Sequence, residues 1–152
     1  MTTSSTTIRL LMASWLVMAA VAVPTFAGDR SADIRELTGR PTKLVWVQDA
    51  GDTACMLAER PTLRLMVLDT EDGKGERPLL PDLGRYWRPG ITDDGTRVVF
   101  GDNHKKTVSV VTFDGTGFRL VLENAIFEDV WLDPATGHDW VYATTIEPVN
   151  AG

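Results

Sequence analysis

Short apolar runs, bounded by turn residues, recur along the chain from residue 43 onward. One set occupies corresponding positions at residues 43–47, 97–100 and 140–143, and a second set at residues 63–68 and 108–113. Asp-Gly dipeptides follow or precede several of these runs, at Asp72-Gly73, Asp94-Gly95 and Asp114-Gly115. Apolar runs of this length between Asp-Gly turns predict β-strands joined by hairpins.

The spacing of these runs indicates a repeated unit. Val45 and Val98 are 53 residues apart, Val98 and Val141 are 43 apart, and Leu68 and Phe113 are 45 apart. Periods in the forties are typical of β-propeller blades. The longer first interval contains an insertion at residues 48–62, in which residues 56–60 predict a turn of helix, and long loops of this kind often carry function.

The pattern predicts nine strands and an all-β fold. The middle unit has all four strands of a blade, the first unit lacks the first strand, and the last unit has only the first two. The predicted strands are 43–47, 63–68 and 77–80 in the first unit, 90–92, 97–101, 107–113 and 118–122 in the middle unit, and 130–132 and 140–144 in the last, where residues 133–137 form the connecting turn.

The middle unit also carries a motif, which runs Arg88-Pro89-Gly90-Ile91-Thr92-Asp93-Asp94-Gly95-Thr96-Arg97 and ends, after two strands, in Asp114-Gly115. It resembles the WD40-like repeat of TolB-type β-propellers, which has a Pro, an apolar position, a Ser/Thr-Pro/Asp-Asp-Gly turn, a basic residue and a strand ending in Asp-Gly. The matching turn residues are Pro89, Asp93, Asp94, Gly95, Asp114 and Gly115. The resemblance extends over residues 38–145 and departs from the family at Thr92-Asp93-Asp94, where its Ser/Thr-Pro-Asp element is weak.

The resemblance implies a partial β-propeller over residues 41–147, with about two to three four-stranded antiparallel blades at residues 41–84, 85–125 and 126–147. Closed propellers typically have about 4 to 8 blades, so this chain alone does not close a ring. Three arrangements therefore stay open: a truncated remnant of a longer propeller, a ring completed by other chains, or a small open stack of sheets.

The first 27 residues predict a cleaved signal peptide. Arg9 precedes an apolar run at residues 10–23, and small residues end the segment at Ala27. The run is shorter than the roughly 20 apolar residues of a membrane-spanning helix. We therefore expect an N-terminal signal helix, cleavage after Ala27, contact with the membrane only during export, and a periplasmic or secreted product. Residues 28–40 form a polar lead segment without a strand period.

Charge and cysteine content narrow the classes of partner. The chain has a formal net charge of −6, and removal of Arg9 with residues 1–27 leaves 14 basic against 21 acidic side chains, or −7. An acidic protein repels phosphate backbones, and Lys105-Lys106 is too small a basic patch to reverse this, so we expect no nucleic-acid partner. Cys55 is the sole cysteine, which excludes an internal disulfide and indicates an inert thiol.

Residues that suggest catalysis or metal binding have simpler explanations. Residues 69–75 resemble the start of a calcium loop but lack its distal Glu, so a hairpin turn is favoured. The acidic pairs Asp93-Asp94 and Glu128-Asp129 are adjacent residues that would point to opposite faces of a strand, which argues against paired acid and base catalysis. Beyond the signal the serines are Ser31 and Ser109, and neither lies in a nucleophile motif. We predict no catalytic residues, metal or cofactor.

The aromatic residues divide into two groups. Trp46, Trp131 and Trp140 lie in or beside predicted strands, which favours burial between blades. Tyr86 and Trp87, with Arg88, come just before the motif Pro, where such folds place the channel end of a blade, and are therefore the candidate ligand contacts. Alternation in the middle blade predicts that Val98, Phe100, Val110 and Phe118 are buried.

The function expected from the resemblance is an exported, non-catalytic propeller-type binding module, or a fragment of one, that contacts a protein or small ligand through loop surfaces. The alternative is an accessory or degenerate portion of an envelope enzyme that processes carbohydrate or peptide. A structural remnant with no activity is a third hypothesis. Unpaired blades at either end of the array predict self-association, because free strand edges and apolar faces favour contact with other chains.

Overall fold

The computed structural model describes residues 30–50 and 61–146, which form one helix and nine strands in three antiparallel sheets. The elements are α1 (Ser31–Thr38), β1 (Lys43–Asp49), β2 (Leu63–Asp69), β3 (Arg77–Pro78), β4 (Tyr86–Ile91), β5 (Arg97–Asp102), β6 (Thr107–Thr112), β7 (Arg119–Glu123), β8 (Ala125–Asp133) and β9 (His138–Thr145). The predicted all-β fold and its nine strands are confirmed.

The sheets follow the chain order without crossovers, as blades do. The first contains β1-β2-β3, the second β4-β5-β6-β7 and the third β8-β9. Among the described residues, only the second blade therefore has four strands, and α1, in the predicted lead segment, precedes β1. Within the described ranges no helix has the length and apolar character needed to cross a membrane. The predicted signal segment, residues 56–60 and Cys55 lie outside the described residues.

The second sheet is the centre of the fold because apolar clusters pack on both of its faces. One cluster joins it to the first sheet and the other joins it to the third. The first cluster contains Leu63, Leu65, Val67, Leu79, Tyr86, Val98, Phe100, Val111 and Phe113, and the second contains Val99, Val108, Val110, Ala125 and Phe127. Successive side chains of β5 point to opposite faces and are buried on both. This face-to-face stacking of successive sheets is the arrangement of a partial propeller.

Burial at the predicted core positions is confirmed for Val98, Phe100 and Val110 and is wrong for Phe118. Phe118 is 58% exposed, although its ring centroid lies 6.4 Å from that of Phe100. The first blade ends in β3, which has only two residues, and does not extend over the outer part of the second blade. Phe118 also lies just before β7, outside the strand that was predicted to begin with it.

Two glycines allow the second and third sheets to approach each other closely. A Cβ on Gly90 would lie 2.7 Å from Val130 Cγ1, and one on Gly101 would lie 3.1 Å from Phe127 Cβ. Gly90 also ends an irregularity in the pairing of β4 with β5, which begins at Trp87. The motif glycine is therefore a packing residue at the junction of two blades.

The third sheet has one buried and one open face. Val130, Val141 and Ala143 pack against the second sheet. On the other face, Trp131, Trp140 and Tyr142 are 49%, 54% and 52% exposed. The expectation that Trp131 and Trp140 are buried between blades is therefore wrong, because among the described residues no sheet stacks on this face; Trp46 in β1 is half-buried.

Candidate functional site

The motif turn after β4 is held by the carboxylate of Asp94. Its Oδ1 accepts hydrogen bonds from Thr92 Oγ1 at 2.7 Å and from the Thr96 N–H at 3.0 Å, and its Oδ2 accepts one from Thr96 Oγ1 at 2.8 Å. These hydrogen bonds, with Arg97 nearby, lower the pKa of Asp94 to about 2. Gly95, at φ +66°, supplies the left-handed residue. Asp94 is therefore a turn residue, and both of its carboxylate oxygens are engaged within the turn.

The Asp114-Gly115 turn repeats this arrangement one hairpin later. Thr112 Oγ1 and the N–H and hydroxyl of Thr116 all donate to Asp114 Oδ1, which lowers the pKa of Asp114 to about 2, and Gly115 has φ +88°. In the third blade Asp133 accepts from the Ala135 N–H and from Thr136 Oγ1. Of the predicted turn residues, Asp94, Gly95, Asp114 and Gly115 thus lie in turns, whereas Pro89 lies within β4.

The predicted calcium-like segment is also a turn. Asp69 Oδ1 accepts the N–H of Glu71 and Asp72 Oδ1 accepts that of Lys74, both at 2.9 Å. Arg77 lies 2.7 Å from the other carboxylate oxygen of Asp72. Across residues 30–50 and 61–146, no cluster of three His, Cys, Asp or Glu side chains is placed to hold a metal ion.

The three candidate ligand contacts do not share one surface. Tyr86 is buried, meets the Phe100 ring edge-on at 5.5 Å and donates its hydroxyl hydrogen to the Asp82 carbonyl at 3.0 Å. Burial, with smaller contributions from Asp102 and Asp82, raises the pKa of Tyr86 to about 12. Trp87 is half-buried and Arg88 is exposed. Tyr86 therefore belongs to the core between the first two blades, apart from the other two residues.

Arg88 instead connects the second blade to the third. Its guanidinium lies 5.5 Å from the Trp87 ring centroid and 3.1 Å from Glu128 Oε2, and Thr144 donates to Glu128 Oε1 at 3.1 Å. Its backbone has φ +43°, which is uncommon for a residue with a side chain and coincides with the irregular pairing of β4. The strained backbone thus places a cation across the junction of two blades.

The third blade ends in a strand edge that no other described strand covers. The Ile146 N–H donates to the Asn124 carbonyl at 2.7 Å, so the backbone polar groups of Ile146 point to the β8 side of β9. The pairing of β8 with β9 has one extra residue, Glu128, and it lies in β8. Successive residues of β9 therefore point their backbone N–H and C=O groups alternately towards β8 and away from it. It follows that Asp139, Val141 and Ala143 direct their N–H and C=O groups to the free edge.

A groove runs beside this edge, between β9 and the outer half of the second blade. Its volume is about 410 Å³. The apolar lining comes from both blades and consists of Val99, Val110, Val121, Leu132 and Val141. At one end Arg97 lies 3.6 Å from Asp94 and 3.7 Å from Asp139. All five residues of β7 are exposed, because the third blade has two described strands against four and the first blade ends in the two-residue β3, so neither blade covers this outer strand.

The aromatic residues of the open face stand beside the same edge. Trp131 lies directly opposite Trp140 in the β8–β9 pairing, and Tyr142 lies opposite Asp129. We call the edge of β9, the groove and these aromatic residues the open end of the array. The sequence shows these aromatic residues, but it does not predict that they are exposed. Their exposure depends on whether another sheet packs against the third blade.

No protein-family model matches the chain, and no curated protein or solved structure is detectably similar to it. The arguments about function therefore rest on the geometry of the described residues.

Proposed function

We propose that this protein is an exported, non-catalytic, propeller-type binding module, and that a partner protein adds an extended strand to its open end. The observation that supports this most is the free edge of the eight-residue β9, which stands beside a groove at the position of a blade's third strand. Addition of a strand to an exposed sheet edge is a common mode of peptide recognition.

The backbone of β9 supplies the affinity in this proposal. The N–H and C=O groups of Asp139, Val141 and Ala143 face the free edge, and a partner strand would pair with them as β6 pairs with β5 in the second blade. Each such group offers a directional contact that does not depend on the partner's sequence.

The side chains on either side of the edge supply the selectivity. Alternate residues of an added strand would point into the groove, over Val110 and Val121, and the intervening residues would lie beside Trp140 and Tyr142. Large aromatic side chains are enriched in protein interfaces, since they contribute much contact area with little loss of conformational entropy. The preferred partner is therefore a strand with small or branched apolar residues at every second position.

Export is the remaining part of the proposal and is supported by the pattern of residues 1–27, with Arg9 before an apolar run that ends in small residues. It would place the open end in the envelope or outside the cell. The partner would then be an envelope or secreted protein.

The test is site-specific photocrosslinking in cells that make the protein. A benzophenone side chain at Trp140 should crosslink to a partner, whereas one at Leu37, which is exposed on α1, should not. Val141→Pro should abolish the Trp140 crosslink, because it removes an N–H that faces the free edge and spares the ladder with β8. A crosslink that survives Val141→Pro in a variant with an unchanged circular dichroism spectrum, or no crosslink at Trp140, would contradict strand addition.

A further inference from the structure

A second cavity lies at the other side of the central blade, between the loop at residues 80–82 and the outer half of the second sheet. Its volume is about 390 Å³, within the range of about 300 to 1,000 Å³ that small-molecule sites occupy. It does not adjoin the open end, and the inference drawn from it does not depend on the proposed function.

Three aromatic rings form the apolar wall of this cavity. Tyr86 and Phe100 are buried and meet edge-to-face, and Phe118 stands beyond Phe100 with its ring tilted by 50°. Phe118 is largely exposed, which is unfavourable for a large apolar side chain unless something covers it. Its ring provides a surface on which an apolar face of a ligand can stack.

The floor of the cavity is polar. Strand pairing places Phe100 opposite Ser109 and Asp102 opposite Thr107, so the four side chains share one face of the sheet. Ser109 is only 3% exposed and lines the cavity, so its hydroxyl is reached from the cavity. A ligand hydroxyl that enters the cavity can therefore form a hydrogen bond with Ser109 in place of water.

The buried carboxylate of the cavity is paired with a cation. Asp102 is 4% exposed, and its Oδ1 accepts the N–H groups of His104 and Lys105 at 2.9 and 3.2 Å. The Lys105 ammonium lies 3.9 Å from Asp102 Oδ2 and compensates the carboxylate, and Asp82 lies exposed on the rim. A ligand with neutral hydroxyl groups can donate to Oδ2 without competing with Lys105, whereas an organic cation would have to displace it.

We propose that this cavity binds a neutral sugar ring. The carbon–hydrogen face of such a ring stacks on Phe118 and Phe100, and its hydroxyl groups bond to Ser109, Thr107 and Asp102. A sugar ring carries both an apolar face and several donors and acceptors on one rigid frame, which is the combination that this cavity displays. The site is a binding site only, and no bond is formed or broken in it.

The experiment is saturation-transfer NMR on the purified protein, with glucose, galactose, mannose and N-acetylglucosamine offered separately and choline as the cationic comparison. At least one of the four sugars should give saturation transfer, with a dissociation constant on the order of 1 mM. Phe118→Ala and Ser109→Ala should each weaken binding about tenfold. Leu37→Ala, on the distant helix, should leave it unchanged.

Both test variants should keep the fold, because Phe118 is exposed and Ser109→Ala removes a single oxygen atom that lines the cavity. Circular dichroism and an unchanged thermal midpoint verify this. The proposal would be overturned by saturation transfer to choline but to none of the four sugars, or by no saturation transfer to any of the five compounds. Sugar binding that is unchanged in both variants would also overturn it. Strand addition at β9 would be unaffected by any of these results.

Discussion

Asp94 and Asp114 close successive turns of the same blade with the same set of hydrogen bonds. Each accepts the hydroxyl of the threonine two residues earlier and both the N–H and the hydroxyl of the threonine two residues later. The sequence Thr-x-Asp-Gly-Thr at residues 92–96 and 112–116 encodes both turns. A local sequence element thus sets the hairpins, and with them the register of the strands that follow.

These two turns should make stability dependent on pH in the acid range. The pKa of each carboxyl is lowered from 3.8 to about 2, so its contribution is fully present above pH 3.8 and is lost as the pH falls through about 2. The thermal midpoint should therefore fall between pH 4 and pH 2. The double variant Asp94→Asn, Asp114→Asn should have a lower thermal midpoint at pH 4, and its midpoint should fall less steeply between pH 4 and pH 2.

Asp93→Asn is the matched control, because the Asp93 side chain accepts none of the hydrogen bonds that hold its turn. Its thermal midpoint should fall between pH 4 and pH 2 as steeply as that of the wild type. A double variant with the same slope as the wild type would show that these carboxylates do not hold the turns.

Phe100→Ala should destabilise the protein by about 3 to 5 kcal/mol. Phe100 is among the largest fully buried side chains and packs in the cluster between the first two blades, so truncation leaves a cavity. Denaturant unfolding measures the loss. Phe118→Ala, which removes the same ring from an exposed position, should cost less than about 1 kcal/mol. Equal losses for the two variants would contradict the placement of the core.

Gly90→Ala should destabilise the junction of the second and third blades by about 1 to 3 kcal/mol, because the added Cβ would lie 2.7 Å from Val130 Cγ1. Val130→Ala removes that atom. The double variant should therefore lose less stability than the sum of the two single variants. Additive losses would show that Gly90 and Val130 are not in contact.

The protein recovered from an expressing cell should begin at Gly28. The expectation follows from Arg9, the apolar run at residues 10–23 and the small residues that end at Ala27. Intact-mass spectrometry measures it. An exported product that still begins near Met1 would contradict cleavage.

The sequence predicted the number and type of the strands well because local patterns determine them. Apolar runs such as 97–100 and Asp-Gly turns at Asp94 and Asp114 are sufficient to place hairpins. The burial of Phe118 and of Trp131 was predicted wrongly. Alternation shows which side chains share a face, but only the packed structure shows whether a sheet covers that face: the first sheet is too narrow over Phe118, and no described sheet packs over Trp131.

The candidate site was predicted less well than the fold. Tyr86 is adjacent in sequence to Trp87 and Arg88 but points away from them, because neighbouring strand residues point to opposite faces and the irregular pairing that begins at Trp87 brings Arg88 beside Trp87. The free edge of β9 arises because the third blade has two described strands, and the cavity around Ser109 lies beside the first blade, whose outer strand β3 has two residues. The number of strands can be counted in the sequence. Which faces and edges stay uncovered, and that Trp140 and Phe118 lie there, can be seen only in the packed structure.

The central claim is that β9 presents an uncovered strand edge, and amide hydrogen exchange by NMR tests it most directly. The measurement is made on the purified protein at a concentration where light scattering shows monomers, since self-association would cover the same edge. The amides of Tyr142 and Thr144, which face β8, should be protected, and those of Val141 and Ala143 should exchange at least about tenfold faster. Equal protection of the two pairs in the monomer would contradict the account.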